Sequence, residues 1–415
     1  MGDWRHPQGD ALYERARRVI PGGVYGHQSA AYLVDGVFPR FLREAQGCRV
    51  RDVDGHEYVD FLCSYGPMVL GYRDPVVESA ADEQRRRSDS GNLPAPVMVD
   101  VAEKLVALTV GMDWAMFAKN GSDVCSWSLA VARRATGRDL AVMVEGSYHG
   151  VHGWCNPLGR GFPDGDRAGI RSFAWNDAAA LEAVLEEHRG RVAAVILTPF
   201  RHEARFDSVM PAAGFLETVR ALCTKHGAVM IVDDVRAGFR LHLGGSLQRF
   251  GVTPDMVVYS KALANGYPLS AMLGSDALRK AAREVFVTGT FFTQAVPLAA
   301  ALATLHELES RDAIARMERA GRRLCDGLRQ RADAAGLAVT ISGPPSIPFL
   351  SFVADRGSLE RSRVFAGEAA RRGAFFHPAH NWFVSAAHED SDIDFALEAA
   401  QAAMKAVAAQ YGRDA

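Results

Sequence analysis

The sequence lacks the features that define several large classes of protein. Its 415 residues contain six scattered cysteines with no C-x-x-C pair, which indicates reduced thiols and argues against a disulfide framework or zinc site. The formal net charge of −2 gives no reason to expect nucleic acid or an anionic membrane surface as a partner. No apolar stretch is long enough to span a membrane, and the polar start MGDWRHPQGD lacks the apolar core of a secretory signal. We therefore expect a cytoplasmic protein with no membrane, nucleic-acid or metal partner.

A glycine-rich dinucleotide motif is also missing. We find no G-x-G-x-x-G between a strand pattern and a helix pattern, with an acid at the expected distance beyond it. A nicotinamide-dependent oxidoreductase is therefore the least favoured enzyme class, although the glycine-containing turns are compatible with an α/β fold.

Short apolar runs alternate with helical patterns from about residue 75 to about residue 310. This alternation predicts an α/β domain with a mostly parallel sheet, and we assign residues 61–310 to it. The alternation is sparser at both ends of the chain, so residues 1–60 and 311–415 are predicted to form a second, smaller α+β domain. The Asp-Gly turn within DVDGHEY predicts a β-hairpin in its first part.

Two apolar runs end in side chains that can carry chemistry. The first run ends at Asp233 and Asp234, and the run MVVYS ends at Lys261. Ligands of open α/β sheets bind at the carboxyl ends of strands, where these residues are expected. A lysine that forms a Schiff base and an acid that keeps a pyridine nitrogen protonated would suit pyridoxal 5′-phosphate (PLP). A surface lysine and a helix-capping acid would give the same spacing, so both interpretations stay open at this point.

Three further segments are typical of phosphate or ring binding. Gly121 and Ser122 precede a helix, where backbone amides can bind an anion or simply form an ordinary capped start. Tyr148 and His149 lie between glycines after a predicted strand, where a flat side chain can stack on a ring or a histidine can be purely structural. Thr290 precedes a long helix as either an N-cap or a phosphate ligand.

Nine sequence blocks occur in the order found in one family: VIPGGV, DVDGHEYVDF, SYGPMVLG, NGSDV, GSYHG, VDDVRAGFR, SKALANGYPLSAMLG, GTFFTQAVPLAAALATL and HEDSDID. The chain resembles the class III (fold type I) PLP-dependent aminotransferases, most closely their glutamate-1-semialdehyde aminomutase-like branch. The resemblance implies a homodimer with active sites at the interface. It also implies that Lys261 is the Schiff-base lysine and general base.

The remaining cofactor roles also follow from the resemblance. Asp233 would pair with the pyridine nitrogen, and Tyr148 would stack on the ring. Gly121 and Ser122 would bind the phosphate. Thr290 would reach the phosphate of the neighbouring subunit.

Departures from the family pattern concern the substrate. The aminomutases usually have a carboxylate-binding arginine after the PGGV block, where this chain has His27 and Gln28. Arg236 follows the paired acids and could approach the ring oxygen of the cofactor, but a salt bridge with Asp234 is the preferred expectation. The PGGVYGHQ and HPAHNWF segments resemble aminotransferases of the gentamicin and neomycin type, which implies an aminoglycoside intermediate as substrate, at its 6′ aldehyde or amine, and an amino acid as donor. Candidate substrate residues are Tyr25, His27, Gln28, Tyr65, His149, His380 and Asn381.

Other reactions can use the same lysine, acid and phosphate site. Epimerisation or isomerisation would need a second proton donor opposite Lys261, and deoxygenation of the sugar would need a leaving group on it. Glutamate-1-semialdehyde aminomutase activity is less favoured because the arginine is missing. The sequence does not distinguish transfer from epimerisation or deoxygenation.

Overall fold

The protein is described by a computed structural model that covers residues 4–29 and 32–414. The chain divides into two compact units. Unit 1 comprises Met1–Asp74, Ala204–Ser208 and Ala315–Ala415, and unit 2 comprises Pro75–Glu203 and Val209–Ile314. No helix among these described residues combines the length and the apolar character needed to cross a membrane.

Strands and helices are numbered in chain order. The strands are β1 (Leu42–Gln46), β2 (Arg49–Asp52), β3 (Glu57–Asp60), β4 (Trp114–Ala118), β5 (Leu140–Val144), β6 (Ile170–Phe173), β7 (Val192–Leu197), β8 (Val229–Asp233), β9 (Met256–Tyr259), β10 (Ser270–Gly274), β11 (Val339–Ser342), β12 (Phe349–Phe352) and β13 (Ala374–Phe375). The α-helices are α1 (Pro7–Val19), α2 (Pro75–Arg87), α3 (Val97–Leu108), α4 (Gly121–Thr136), α5 (Ala178–Glu187), α6 (Phe215–His226), α7 (Arg279–Glu284), α8 (Ala295–Ser310), α9 (Ala313–Ala335), α10 (Glu360–Ala370) and α11 (Asp390–Tyr411).

Unit 2 is built around a seven-stranded sheet in the order β4-β10-β9-β8-β7-β5-β6. Strands β9, β8, β7, β5 and β6 pair in parallel, whereas β10 runs antiparallel to both of its neighbours. The central strands are apolar almost throughout and are buried at every position, as is typical of a sheet covered on both faces. The predicted α/β class with a mostly parallel sheet is confirmed.

The register of unit 2 brings the ends of β8 and β9 to one edge of the sheet. Asp233, the last residue of β8, is paired with Val258 of β9, so the chain reaches Lys261 three residues beyond that pair. Helix α4 packs against several of these strands, and its side chains join those of the sheet in one apolar core. This packing positions the start of α4 beside the functional strand ends.

Unit 1 contains a four-stranded sheet in the order β1-β2-β3-β13 and a separate hairpin of β11 and β12. Strands β2 and β3 are antiparallel and form the hairpin that the Asp-Gly turn predicted. Residues 61–74, which the sequence pattern assigned to the large domain, cluster with unit 1 instead. The reason is local: Tyr72 forms a β-bridge with Gly47, and its hydroxyl donates to Asp60 at 2.7 Å.

Candidate active site

Lys261 lies at the carboxyl end of β9 in a strained backbone conformation. Its φ of 46° is in the left-handed region, which is unfavourable for a residue with a side chain. The flanking chain holds this conformation, because Ser260 Oγ donates to the carbonyl of Leu269 at 2.9 Å. Strain of this kind costs on the order of 1–3 kcal/mol and is found mainly where a side chain must be aimed in one direction.

The surroundings of Lys261 favour its neutral amine. Burial lowers the pKa of Lys261 most strongly, the positive charges of Arg236 and Arg240 lower it further, and Asp233 opposes them, so that it reaches about 7. Roughly half of the amines are therefore neutral near pH 7. An amine in this state can act both as a nucleophile and as a base for proton transfer.

The carboxylate of Asp233 is hydrogen-bonded to a buried histidine, His149. His149 Nδ1 lies 2.7 Å from Asp233 Oδ2, and the Val235 amide donates to the other carboxylate oxygen at 3.1 Å. Burial alone would raise the pKa of Asp233, but the hydrogen bond and charge of His149 and the Val235 amide outweigh it and lower the pKa. The carboxylate therefore stays ionised and can pair with a protonated ring nitrogen.

His149 is buried beside Asp233, which favours a positioning role over the substrate contact that the sequence suggested. Its side chain is buried, and its ring lies parallel to that of Trp154 with centroids 6.1 Å apart. Within the described residues its Nε2 has no hydrogen-bond partner. With Nδ1 on the carboxylate, the ring orients Asp233 from the protein interior.

The start of α4 is a candidate anion-binding cradle. Asn120 and Asp123 form a capping box, so the helix begins at a fixed position. Ser122 Oγ accepts a hydrogen bond from the Val151 amide at 3.1 Å. Close packing depends on Gly150, whose φ is 125° and where an added Cβ would lie 2.4 Å from Ser122 Oγ.

Gly121 permits a second close approach. A Cβ added there would lie 3.0 Å from the side chain of Val235, in the turn that follows β8. The first amides of α4, the loop after β5 and the turn after β8 thus lie close together.

These features fit PLP. Lys261 Nζ would hold it covalently, Asp233 would bind its ring nitrogen, and the amides at Gly121 and Ser122 would bind its phosphate. When bound, PLP supplies an electron sink that makes a proton on the adjacent carbon acidic. With a pKa of about 7, Lys261 would be able to remove and return that proton, and Asp233 would keep the ring nitrogen protonated.

Two residues after β8 differ from the sequence expectation. Asp234 accepts hydrogen bonds from the Ser246 amide at 2.8 Å and from its hydroxyl at 2.6 Å. Arg236 donates to the carbonyl of His202 at 2.6 Å. Burial lowers the pKa of Arg236 to about 10, and the charges of Glu203 and then Asp233 oppose that fall. Arg236 therefore acts on the lysine site, and Ser246 holds Asp234.

Tyr148 and Thr290 are both accessible. Tyr148 is 44% exposed. Thr290 is exposed in the segment between α7 and α8, beside Phe291, which is 50% exposed. Their roles toward the ring and toward a partner's phosphate stay predictions.

Three of the candidate substrate residues converge in unit 1. The Tyr65 hydroxyl donates to the His27 carbonyl at 2.6 Å, and the Tyr65 ring lies 4.3 Å from the His27 ring and 5.2 Å from the His380 ring, centroid to centroid. Tyr65 belongs to a turn in which Cys63, Ser64 and Tyr65 all have positive φ.

The other candidates of unit 1 are placed differently. Gln28 lines a cavity of about 400 Å³ together with Tyr65 and Asp60. Tyr25 is 77% exposed on the surface. Asn381 is buried and its amide donates to the Trp382 carbonyl at 3.1 Å, which favours a structural role over substrate contact.

His377 was missed by the sequence reasoning. Its ring lies 6.2 Å from that of Tyr65 and 5.9 Å from that of His380. Burial lowers its pKa to about 4, with a further contribution from the charge of His27, so the ring is neutral at physiological pH. The available signal was the H-x-x-H spacing within HPAHNWF.

Comparison with known proteins identifies the family of this chain. The chain matches the family described as aminotransferase class-III over residues 32–160 and 162–343. It is 42% identical to an aminopentol aminotransferase from Sphingopyxis macrogoltabida, over 95% of this chain and 93% of that protein. It is 35% identical to a glutamate-1-semialdehyde 2,1-aminomutase from Syntrophobacter fumaroxidans, over 94% and 95%.

A solved structure has the same fold over nearly the whole chain. The PLP-bound FumI protein of Sphingopyxis sp. MTA144 is similar with a TM-score of 0.96 and 40% identity, over 98% of each chain. The candidate cradle, the ionised aspartate and the lysine of lowered pKa therefore occur in a fold known to carry PLP. The chain belongs to the class III aminotransferases, which are fold type I enzymes dependent on pyridoxal 5′-phosphate.

Proposed function

We propose that this aminotransferase moves an amino group between an amino acid and a carbonyl carbon of a polyhydroxylated substrate that has no carboxylate beside that carbon. The single observation that carries the substrate class is the 42% identity to an enzyme named for an aminopentol, a compound with one amino and five hydroxyl groups. The replacement of the expected arginine by His27 and Gln28 supports it, because a carboxylate would lose its cationic partner there.

An open-chain amino polyol is the first candidate substrate. An amino sugar, in particular an aminoglycoside intermediate at its 6′ position, is the second, and it is favoured by the PGGVYGHQ and HPAHNWF segments. Both substrates are rich in hydroxyl groups, which need hydrogen-bond acceptors and aromatic surfaces. The hydroxyl and rings of Tyr65, His27 and His380 offer that chemistry in unit 1.

The residues of unit 2 have separate roles in this proposal. Lys261 holds the cofactor and later moves the proton, while Asp233, oriented by His149, keeps the ring nitrogen protonated. Tyr148 stacks on the ring. Thr290 completes the phosphate site of a second subunit in a homodimer.

The substrate class is tested with the purified PLP-loaded enzyme and a panel of amines. We expect pyruvate- or 2-oxoglutarate-dependent turnover with an amino polyol or an amino sugar, and kcat/KM at least about tenfold lower with glutamate-1-semialdehyde. Lys261→Ala should abolish turnover with every substrate. Preferred turnover of glutamate-1-semialdehyde would refute the substrate class.

Transfer and epimerisation are distinguished in deuterated water. A transferase exchanges the proton of an amine substrate and needs an oxo-acid acceptor for net product. Net inversion of configuration without an acceptor would instead favour the epimerase alternative, and loss of a hydroxyl would favour deoxygenation. Mass spectrometry and NMR of one reaction mixture separate these outcomes.

The roles of the unit 1 residues are tested by steady-state kinetics. Tyr65→Phe removes the hydroxyl that donates to the His27 carbonyl, and Tyr13→Phe is the matched control, because it removes a hydroxyl that donates to the Gly22 carbonyl. We expect Tyr65→Phe to raise KM for the hydroxylated substrate about tenfold while KM for the amino acid stays unchanged. Equal effects of both variants on both substrates would contradict the proposed selectivity.

A further inference from the structure

Three side chains of unit 1 converge at a point that plays no part in the lysine chemistry. They are His6, which is the N-cap of α1, Asp52, which ends β2, and His56, which lies in the hairpin turn. His6 Nδ1 lies 3.2 Å and His56 Nδ1 lies 3.0 Å from Asp52 Oδ2. Each of the three residues offers one ligand atom, and these atoms all lie within 4.8 Å of one another.

The state of the His6 ring makes this cluster unusual. Its Nε2 lies 2.9 Å from the Val37 carbonyl, which can only accept a hydrogen bond, so Nε2 carries the proton. In the neutral ring Nδ1 then presents a lone pair. That nitrogen is buried, and within the described residues it has no hydrogen-bond partner. A lone pair beside the Asp52 carboxylate is repulsive unless a second ring proton or a metal ion lies between them.

The spacing of the three atoms suits a metal ion. At a tetrahedral zinc site with bonds of about 2.0–2.1 Å, neighbouring ligand atoms are about 3.3–3.4 Å apart. The two distances to Asp52 Oδ2 are 3.0 and 3.2 Å, within a few tenths of an ångström of these values, and the two histidine nitrogens lie within 4.8 Å of each other. Coordination through Nδ1 requires the His56 tautomer that carries its proton on Nε2.

The outer contacts are those that metal ligands require. A ligating histidine usually donates its other ring N–H to a carbonyl, as His6 does to Val37. The Tyr58 hydroxyl donates to Asp52 Oδ2 at 3.1 Å, and Asp52 Oδ1 accepts from the His56 amide at 2.9 Å. These bonds fix the carboxylate before an ion arrives.

One side of the cluster remains accessible. The side chain of His56 is 20% exposed, whereas those of His6 and Asp52 are almost fully buried. Trp4 stacks on the His56 ring with centroids 4.3 Å apart and covers the outer face. An ion can therefore enter past His56, and a water molecule can supply the fourth ligand.

We propose that His6, Asp52 and His56 form a structural site for one divalent transition metal ion, with two imidazole nitrogens and one carboxylate oxygen as protein ligands. This donor set is borderline between hard and soft, which favours Zn²⁺ over Mg²⁺ or Ca²⁺. The ion would join the start of α1 to the hairpin of β2 and β3. The site is independent of the substrate proposal, and its test does not depend on turnover.

The test is calorimetric titration of the full-length PLP-loaded enzyme with Zn²⁺ after treatment with a chelator. We expect one Zn²⁺ per chain in the wild type, no heat of binding with Mg²⁺, and an increase in the melting temperature with Zn²⁺. His56→Ala should weaken binding at least about tenfold. His306→Ala is the matched control, because it removes an exposed histidine of unit 2.

A second readout reports the coordination directly. Co²⁺ in place of Zn²⁺ should give the visible absorption of a four- or five-coordinate site in the wild type and in His306→Ala, and none in His56→Ala. Wild-type enzyme that binds no Zn²⁺, or His56→Ala enzyme that binds it as tightly as wild type, would overturn the proposal. Because His56 is partly exposed, its removal leaves the fold intact, and circular dichroism verifies this.

Discussion

Removing the charge of Arg236 should make Lys261 a poorer nucleophile at neutral pH. The fall of the lysine pKa from 10.5 to about 7 corresponds to about 5 kcal/mol against the charged amine. Burial contributes most and Arg236 contributes next. In Arg236→Gln we therefore expect the pKa of Lys261 to rise by about one unit, which reduces the neutral fraction at pH 7 from about one half to about one tenth.

The assay follows the rate at which PLP-free enzyme captures added PLP between about pH 5.5 and pH 9. Borohydride fixes the adduct at each time point, and mass spectrometry measures it. Only the neutral amine reacts, so the capture rate should rise with pH through the lysine pKa. Its midpoint should be near 7 in the wild type and near 8 in Arg236→Gln.

Arg279→Gln is the control, because Arg279 is an exposed arginine paired with Asp276. Its midpoint should equal that of the wild type. A wild-type midpoint near 10 would show that the lysine is not desolvated, and an unchanged midpoint in Arg236→Gln would show that Arg236 does not act on it. Either result would refute the electrostatic reasoning.

Three further outcomes follow from the site. Burial raises the pKa of Asp234 to about 7, so the unfolded chain loses this proton at a lower pH than the folded chain does. The free energy of unfolding should therefore fall by up to about 4 kcal/mol as pH rises from about 4 to 7. Thermal unfolding of Asp234→Asn should lack this fall, and a pH profile identical to that of the wild type would contradict the reasoning. His149→Phe should weaken PLP binding at least about tenfold in a fluorescence titration by removing the main stabiliser of ionised Asp233, and an unchanged Kd would contradict that role. Gly150→Ala should lose PLP affinity because its Cβ would meet Ser122, whereas Gly146→Ala, with φ 76° and open space, should keep it; equal losses would contradict the cradle.

The residues that directly follow strands were the ones best predicted from the sequence. Lys261 and Asp233 could be located because buried parallel strands are nearly continuous apolar runs, and the polar residue that ends such a run marks the functional edge of the sheet. The parallel sheet and the β2–β3 hairpin followed from equally local signals.

Contacts between distant segments could not be predicted in the same way. His149 and Asp233 are 84 residues apart, so nothing near His149 indicates that it lies behind a carboxylate. The close approach of Gly150 to Ser122 depends on packing of a loop against a helix start. Arg236 could be placed beside Asp234 by sequence proximity, yet the turn after β8 directs its guanidinium to the His202 carbonyl instead.

The pairing of β13 with β3 determines when unit 1 can finish folding during synthesis. Ala374 pairs with Val59 and Phe375 with Asp60. Strand β3 therefore lacks its second partner strand until more than three hundred further residues have been synthesised. Unit 2 is synthesised completely in that interval. Because such distant contacts form slowly and leave a strand edge exposed, the ribosome-bound chain should depend on chaperones mainly through unit 1.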